Sequence, residues 1–503
     1  MVDQAQNASG APDGKSPSLL SGLYEAIIRP LAALRLRYAP LLLVYFSYGA
    51  LGLIDISRDL WVKEQLNISP AELAAIGVWL TLPWTIKMVF GQLVDSVPIF
   101  GSQRRVYIVA GALLIAGGLV TLAGAAGGWL QFLSRTGLFV LGSILVVLGT
   151  VVQDVVADAM STEVVPRVQE DGQPRDEQEV RADLGMVQVL GRLALSAGIL
   201  AVAGLSGWIA AILSRETVFL VALIVPALSL LGAFTASEKE IERRPIDLRI
   251  LLGGLAFGIV VVTTGLLGVP FAQEIIFMIS MTVVCVMLVM VTADVEPEHR
   301  RAIFFTAIII FAFRAMPAVG DGYFWWTIDV LKFDESFYGV LRQTAAVLSI
   351  VVLWIFAKQL TEYSIPAVLF WLTVLGTVLS IPNVALYYGL HHWTEANFGF
   401  GARSIAIVDA ATASPFAQLS MVPLLALIAY YAPAGKRATW FALMASLMNL
   451  ALVAGQLSTK YLNQYFVIAR GDYSQLGALL VSVVLAGFII PIAVIGLLGR
   501  KIR

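Results

Sequence analysis

The sequence has a single cysteine, Cys285, so neither an intrachain disulfide nor a thiolate metal site is open to it. Its three histidines, His299, His391 and His392, fall in short stretches between apolar runs. No His, Cys or Asp spacing on one helix face fits a metal, and no glycine loop followed by Lys and Ser or Thr offers a phosphate cradle. A metal, another cofactor and direct coupling to ATP are therefore not expected, and no catalytic set stands out. Charge is scarce at 13%, against roughly 25% for a soluble domain. With a net charge of −1 there is no basic surface domain to neutralise the phosphates of a nucleic acid. The N-terminus lacks the basic start and apolar core of a secretory signal.

What the chain has instead is apolar length, 59% of 503 residues being hydrophobic. Stretches of ~20 residues suffice to cross a bilayer. They recur near 40–62, 70–94, 106–128, 137–160, 182–204, 214–235, 250–268, 273–292, 301–327, 336–357, 365–388, 403–430, 436–460 and 476–499. The expected fold class is an all-α polytopic membrane protein with 14 transmembrane helices. With the N-terminus in the cytoplasm, the outer loops hold only Lys63, Arg135, Arg215, Lys332, Arg403, Lys460 and Arg470. The inner segments hold three times as many cations, among them Arg104, Arg105, Arg243, Arg244, Arg300, Arg301, Lys436, Arg437 and Arg500. Moving one span across would spoil this asymmetry, so both termini are placed in the cytoplasm and the span number is even.

Internal echoes group the spans. QLVDSVP (Gln92 to Pro98) reappears as QLTEYSIP (Gln359 to Pro366), and RLALSAG (Arg192 to Gly198) as NLALVAG (Asn449 to Gly455). Phe46 to Trp61 is echoed by Phe311 to Trp326, each with an acid before the Trp. The echoes keep one order and imply two six-helix halves with a two-helix insert between them. Residues 1–38 form a cytoplasmic extension, with an amphipathic helix over 19–37 lying on the membrane. Residues 39–235 form the first bundle, 236–299 a cytoplasmic linker and the insert, and 300–503 the second bundle. The insert carries no charge within its spans except Glu274 near its outer turn, and reads as a peripheral packing hairpin.

An ionisable group at mid-bilayer costs at least ~2.5 kcal/mol unless it pairs or lines a cavity. Asp55, Arg58 and Asp59 share a helix region toward the outer end of the first span, as a self-neutralising cluster or as a coupling or gating group. Lys87 sits above the inner end of the second span, after a bend expected at Pro83-Trp84, where it either snorkels or faces a cavity. Asp154 and Asp158, in QDVVADA, share one face of the fourth span. Either cations such as Lys87 or Arg192 pair with them, or one holds a proton. Arg192 and Arg314 lie deep in the fifth and ninth spans, and each wants a carboxylate from the protein or a substrate. Asp321 follows Arg314 in FRAMPAVGDGYFWW, where Pro317 and two glycines imply a broken helix. Arg342 and Asp409 lie nearer span ends and rank lower.

The loop from Gly91 to Arg105, GQLVDSVPIFGSQRR, closes two spans tightly at the inner face. Asp95 ends a helix, where an anion is disfavoured, and needs Arg104, Arg105 or the start of a helix near Lys436. The loop thus reads as a latch holding the inside closed.

This loop, the QDVVADA helix and the FRAMPAVGDGYFWW helix together resemble the folate–biopterin transporter family, a branch of the major facilitator superfamily. The resemblance covers about Ala39 to Arg500. It implies duplicated six-helix halves with a site between them, and carriage of folates or related pterins across a membrane, that of a cyanobacterium or similar bacterium ahead of a plastid envelope. The expected partners are a small-molecule substrate, the lipid bilayer and a coupling proton. In this reading Arg192 and Arg314 take the anionic groups of the cargo. Asp154 or Asp158 binds pterin N–H donors or carries the proton, with Lys87 and Asp321 lining the same cavity. A carrier of another small organic solute and a non-transporting membrane receptor are the alternatives.

Overall fold

With so little water-seeking surface, backbone N–H and C=O groups must pair within their own segments, and the helix is the element that does so. The computed structural model describes residues 32–169, 171–235, 248–293, 295–362, 365–412 and 437–499. Among the described residues it is helical, with no strand. A 3-10 turn at Leu36–Tyr38 leads into α1 (Ala39–Ala50), and a second, Leu51–Ile54, joins it to α2 (Asp55–Gln65). Then come α3 (Pro70–Thr85), α4 (Lys87–Ser96), α5 (Arg105–Gly127), α6 (Arg135–Glu163), α7 (Glu177–Ile212), α8 (Arg215–Val221) and α9 (Ile224–Thr235). A hairpin of α10 (Leu248–Leu266) and α11 (Ala272–Val291) follows. The remaining helices are α12 (Pro297–Arg314), α13 (Asp321–Asp329), α14 (Glu335–Glu362), α15 (Ile365–Tyr387), α16 (Leu390–Phe398), α17 (402–412), α18 (Arg437–Tyr465) and α19 (Leu476–Leu498).

By length and composition, 10 stretches among the described residues can cross a membrane. The expected fourteen are not confirmed by this number, which omits stretches that run into undescribed residues or side chains, such as 336–357 and 403–430. The span expected at 301–327 is split by the non-helical run 315–320. α18 carries Asn449, Gln456, Thr459, Lys460 and Asn463, which lower its hydropathy while serving contacts with other helices. Part of the span at 403–430, the second latch copy around Glu362 to Pro366 and the helix start at Lys436 lie outside the described residues or side chains, as does most of the expected 19–37 helix. The described end of that stretch is a short turn, with Leu36 exposed and Arg37 stacked on Tyr38.

Helices α1–α9 pack around one set of apolar cores, including Trp61, Leu119, Leu138 and Phe219. Another core joins α11 to α12, α18 and α19 through Leu288, Ile310, Trp440 and Leu447. The two groups meet along α3 with α18 and along α7 with α14. The matched glycines serve matched contacts. A Cβ on Gly198 would lie 2.2 Å from the Phe46 carbonyl oxygen of α1, and one on Gly455 would lie 2.8 Å from that of Met316, just after α12. Only glycine lets the backbones come so close.

Two spans are broken at matched places. In the first, the 3-10 turn precedes Asp55; in the other, 315–320 precedes Asp321, so each Asp opens the second helix of its span. A helix N-terminus favours an anion there. The break at 315–320 needs Gly320, whose φ of 81° and ψ of −174° suit glycine alone. Its freed backbone is met by α18: the Ala318 N–H donates to Thr459 Oγ1 at 2.9 Å, and Asn463 Nδ2 donates to the Val319 carbonyl at 3.0 Å. In the second span the helix runs through Pro83 and breaks at Ile86, directly before Lys87.

Contacts between loops define two faces. Residues 62–69, 128–134, 213–216, 267–274, 329–335 and 466–475 gather on a distal face. The turn 97–104 and the start and end of the chain's described helices lie on the proximal face.

Candidate functional site

The break at Ile86 sets Lys87 at the first turn of α4, facing α6. Its Nζ donates to Asp154 and, at 2.6 Å, to Asp158 Oδ2. Asp154 and Asp158 are four residues apart on α6, so one ammonium reaches both. Tyr45 of α1 completes the group, its hydroxyl donating to Asp158 Oδ1 at 2.7 Å. The side chains are not equally covered: Asp154 is 12% exposed and Asp158 51%. Arg192 of α7 acts on Asp154 and Tyr45 electrostatically but makes no ion pair within 4 Å among the described residues, and it is exposed. One ammonium between two carboxylates leaves a net negative charge, which Arg192 offsets at longer range. Two carboxylates on one ammonium can accept a further cation.

A second group lies in the distal half. Arg58 Nη1 is 3.1 Å from Asp55 Oδ1, and Arg58 Nη2 is 2.9 Å from Asp59 Oδ1. Arg342, from α14, donates to Asp55 Oδ2 at 2.9 Å and lies 3.9 Å from Asp59 Oδ2. Asp321 adds its charge to the field around Asp59 and Arg58. The cluster therefore joins α2 to α14, and the lone-helix cluster expected from spacing is incomplete without Arg342. Charge balance was the available signal: two acids and one base leave one cation wanting. Arg314 ends α12, where the helix C-terminus favours its guanidinium.

On the proximal face, the turn expected from Gly91 to Arg105 is a two-residue reversal. Ile99 and Ser102 exchange backbone hydrogen bonds at 2.9 and 3.0 Å, with positive φ at both Phe100 and Gly101. Arg104 reaches Asp95 at 2.9 Å, Glu163 at 2.5 Å and the Val94 carbonyl at 3.2 Å. It thus pairs with two acids that each sit near a helix C-terminus, on α4 and α6. Arg105 donates to the Ala233 carbonyl at 3.1 Å. These contacts tie together α4, α5, α6 and α9. Tyr45, Glu163 and Arg470 (below) were not singled out from sequence, because a tyrosine or a loop arginine looks ordinary until its partner is known.

The distal face is drawn together by further pairs. Lys63 Nζ meets Asp329 Oδ1 at 2.5 Å, and Arg215 reaches both Glu64 at 2.9 Å and Glu335 at 3.1 Å. Arg470 donates to the carbonyls of Lys63 at 2.8 Å and Val62 at 3.2 Å, and also to that of Leu66. The Lys63 and Leu66 carbonyls are orphan acceptors at the C-terminus of α2, whereas that of Val62 also accepts from the Leu66 N–H at 3.2 Å. The same guanidinium lies 4.6 Å from the ring centre of Trp325.

Comparisons with known proteins agree with this architecture. The BT1 family profile matches residues 49–503. A protein named folate-biopterin transporter, from Synechocystis sp., is 26% identical over 91% of this chain and 81% of its own length. One named folate transporter 1, from Plasmodium falciparum, is 19% identical over 90% of this chain and 77% of its own. Among solved structures, a POT family transporter in complex with 5-aminolevulinic acid superposes with a TM-score of 0.65 at 12% identity, covering 94% of this chain and 97% of the other. A point mutant of the nucleoside transporter NupG gives 0.61 at 12% identity, covering 92% and 99%. Those likenesses carry the fold alone: the chain shares the all-helical architecture of these membrane proteins. With its family profile running through the broken spans, both charge clusters and the proximal turn, this chain belongs to the BT1, or folate–biopterin transporter, family of membrane transporters, and is not an enzyme.

Proposed function

We propose that the protein is a secondary carrier that moves folate or a related pterin by alternating access, with proton coupling. The observation that carries this reading is Arg192: an exposed guanidinium without an ion pair among the described residues, beside the Lys87–Asp154–Asp158–Tyr45 group. A permanently charged group on the apolar part of α7 wants an anionic partner, and a carboxylate-bearing cargo supplies one. The names of the relatives support a folate or pterin as that cargo. Asp154 and Asp158 share the one Lys87 ammonium, and one of the two carries the coupling proton in this reading. Lys87 and Tyr45 hold the pair in place. Arg314 and Asp321, on either side of the break at 315–320, contribute from the second half. The Asp55–Arg58–Asp59–Arg342 group and the Asp95–Arg104–Arg105 turn serve as the distal and proximal gating elements. The arrangement is read as six helices (39–235), a linker with the insert (236–299) and six helices (300–503), with both termini in the cytoplasm of a bacterial cell.

Counterflow of labelled folate in proteoliposomes, with and without an imposed pH gradient, tests the reading. Saturable counterflow that unlabelled pterins compete away, and that the gradient accelerates, is the expected result. Specific binding without counterflow would replace the carrier with a receptor, and competition by unrelated solutes alone would replace the cargo.

A further inference from the structure

The turn of the α10–α11 hairpin walls a crevice outside the two charge clusters described above. A cavity of about 270 Å³ opens between this turn and the seam of α3 with α18. Ala75 and Trp79 line it from α3, Thr264 and Gly265 from α10, Glu274 from α11 and Lys460 from α18. Lys460 lies five residues before the end of α18, so ~7.5 Å below the distal helix ends, the depth of lipid headgroups and glycerol.

The polar groups there are unevenly satisfied. Lys460 Nζ donates to Glu274 Oε1 at 2.7 Å and to Gln273 Oε1 at 3.1 Å. The Tyr461 hydroxyl donates to the same Oε1 at 2.6 Å. Glu274 Oε2 is buried and has no hydrogen-bond partner among the described residues. A carboxylate oxygen left so is costly, and it calls for a donor. Lys460 uses two of its three N–H donors, which leaves one for an anionic acceptor. The complement of this pair is a zwitterion, with N–H donors for Glu274 and an anionic oxygen for Lys460. Below the crevice one face of α10 is exposed, with Leu255, Ile259 and Val262 outward, a surface suited to acyl chains, while Phe257 and Val261 pack inward.

We propose that this crevice binds the headgroup of a phospholipid bearing a primary amine, its ammonium on Glu274 Oε2 and its phosphate on Lys460. A primary ammonium carries the hydrogens that Glu274 requires; a trimethylammonium headgroup carries none. The hairpin thereby acquires a role, since it builds the wall that holds a lipid against the α3–α18 seam.

The test is native mass spectrometry of the full chain released from nanodiscs with equal phosphatidylethanolamine and phosphatidylcholine. The wild type is expected to retain the amine lipid about tenfold over the choline lipid, the discrimination one charge-assisted hydrogen bond supplies. In Glu274→Gln the ratio should fall to near one. Thr264→Trp fills the crevice and leaves the Glu274–Lys460 pair in place, so it should also abolish retention. That variant decides the matter if Glu274→Gln does not insert. Equal retention of both lipids by the wild type, or undiminished selectivity in Thr264→Trp, overturns the proposal, and leaves a bound water as the partner of Glu274. The readout involves no transport, so its failure is separate from any failure of the carrier reading.

Discussion

Lys87 and Arg192 are both cations in spans, and the structure gives them opposite burdens. Lys87 holds two carboxylates, one of them nearly covered. Removing it leaves charge buried and uncompensated, a loss of about 3 kcal/mol or more. Arg192 is exposed and makes no ion pair among the described residues, so its removal should cost stability within about 0.5 kcal/mol. Arg192→Ala is therefore expected to abolish most folate counterflow while its thermal midpoint stays near wild type, and Lys87→Ala to lower both. A clear loss of thermal stability in Arg192→Ala, or unchanged counterflow, would remove Arg192 from the site. At this scale the sequence revealed which residues were out of place, because a charge inside an apolar run is conspicuous. It did not reveal their partners. Depth along a helix follows from counting residues, but Tyr45 meeting Asp158 across 113 positions depends on how α1 and α6 are rotated.

The broken span carries the argument at the level of the element. Pro317 and the glycines beside Asp321 pointed to the break, whereas Pro83 pointed to a bend that the structure moves three residues on, to Ile86. A proline within a helix can be accommodated when a neighbour meets the freed carbonyl. A φ of 81° with ψ near 180° cannot be adopted by a residue with a Cβ without strain. Gly320→Ala should cost about 1–3 kcal/mol on that ground. Its Cβ would also press on Asn463 Nδ2 at 3.1 Å, which holds the Val319 carbonyl. The expected outcome is a lower thermal midpoint together with slower counterflow. Ala318→Gly, two residues earlier, is the control and should leave both nearly unchanged. If Gly320→Ala matches the wild type in both measures, the break is not held by that residue.

The molecule as a whole is closed on its distal face, and this the sequence could not convey. Hydropathy, the distribution of Lys and Arg and the repeated motifs carry the spans and their grouping. Which ends of the two groups touch depends on a balance of pairings between residues hundreds of positions apart. Four pairings set it here: Lys63 with Asp329, Arg215 with Glu64 and Glu335, Arg342 with Asp55, and Arg470 with the end of α2. Exposed ion pairs each contribute only ~0–1 kcal/mol. Arg470 differs, since the Lys63 and Leu66 carbonyls at a helix terminus lose their donor if it leaves. In an alternating-access carrier this face must open, so Arg470→Ala should shift the resting population toward the distally open form. With Cys285 first replaced by Ser, a cysteine at Asp59, inside the distal cluster, should react faster with a membrane-impermeant maleimide when Arg470 is Ala. The converse experiment pins the face shut. Cysteines at Lys63 and Asp329, joined by a short bifunctional reagent, should stop counterflow, and a cleavable linker should restore it on reduction. Full-rate counterflow with the bridge complete would mean that these ends do not part during transport, and that the access change lies elsewhere in the bundle.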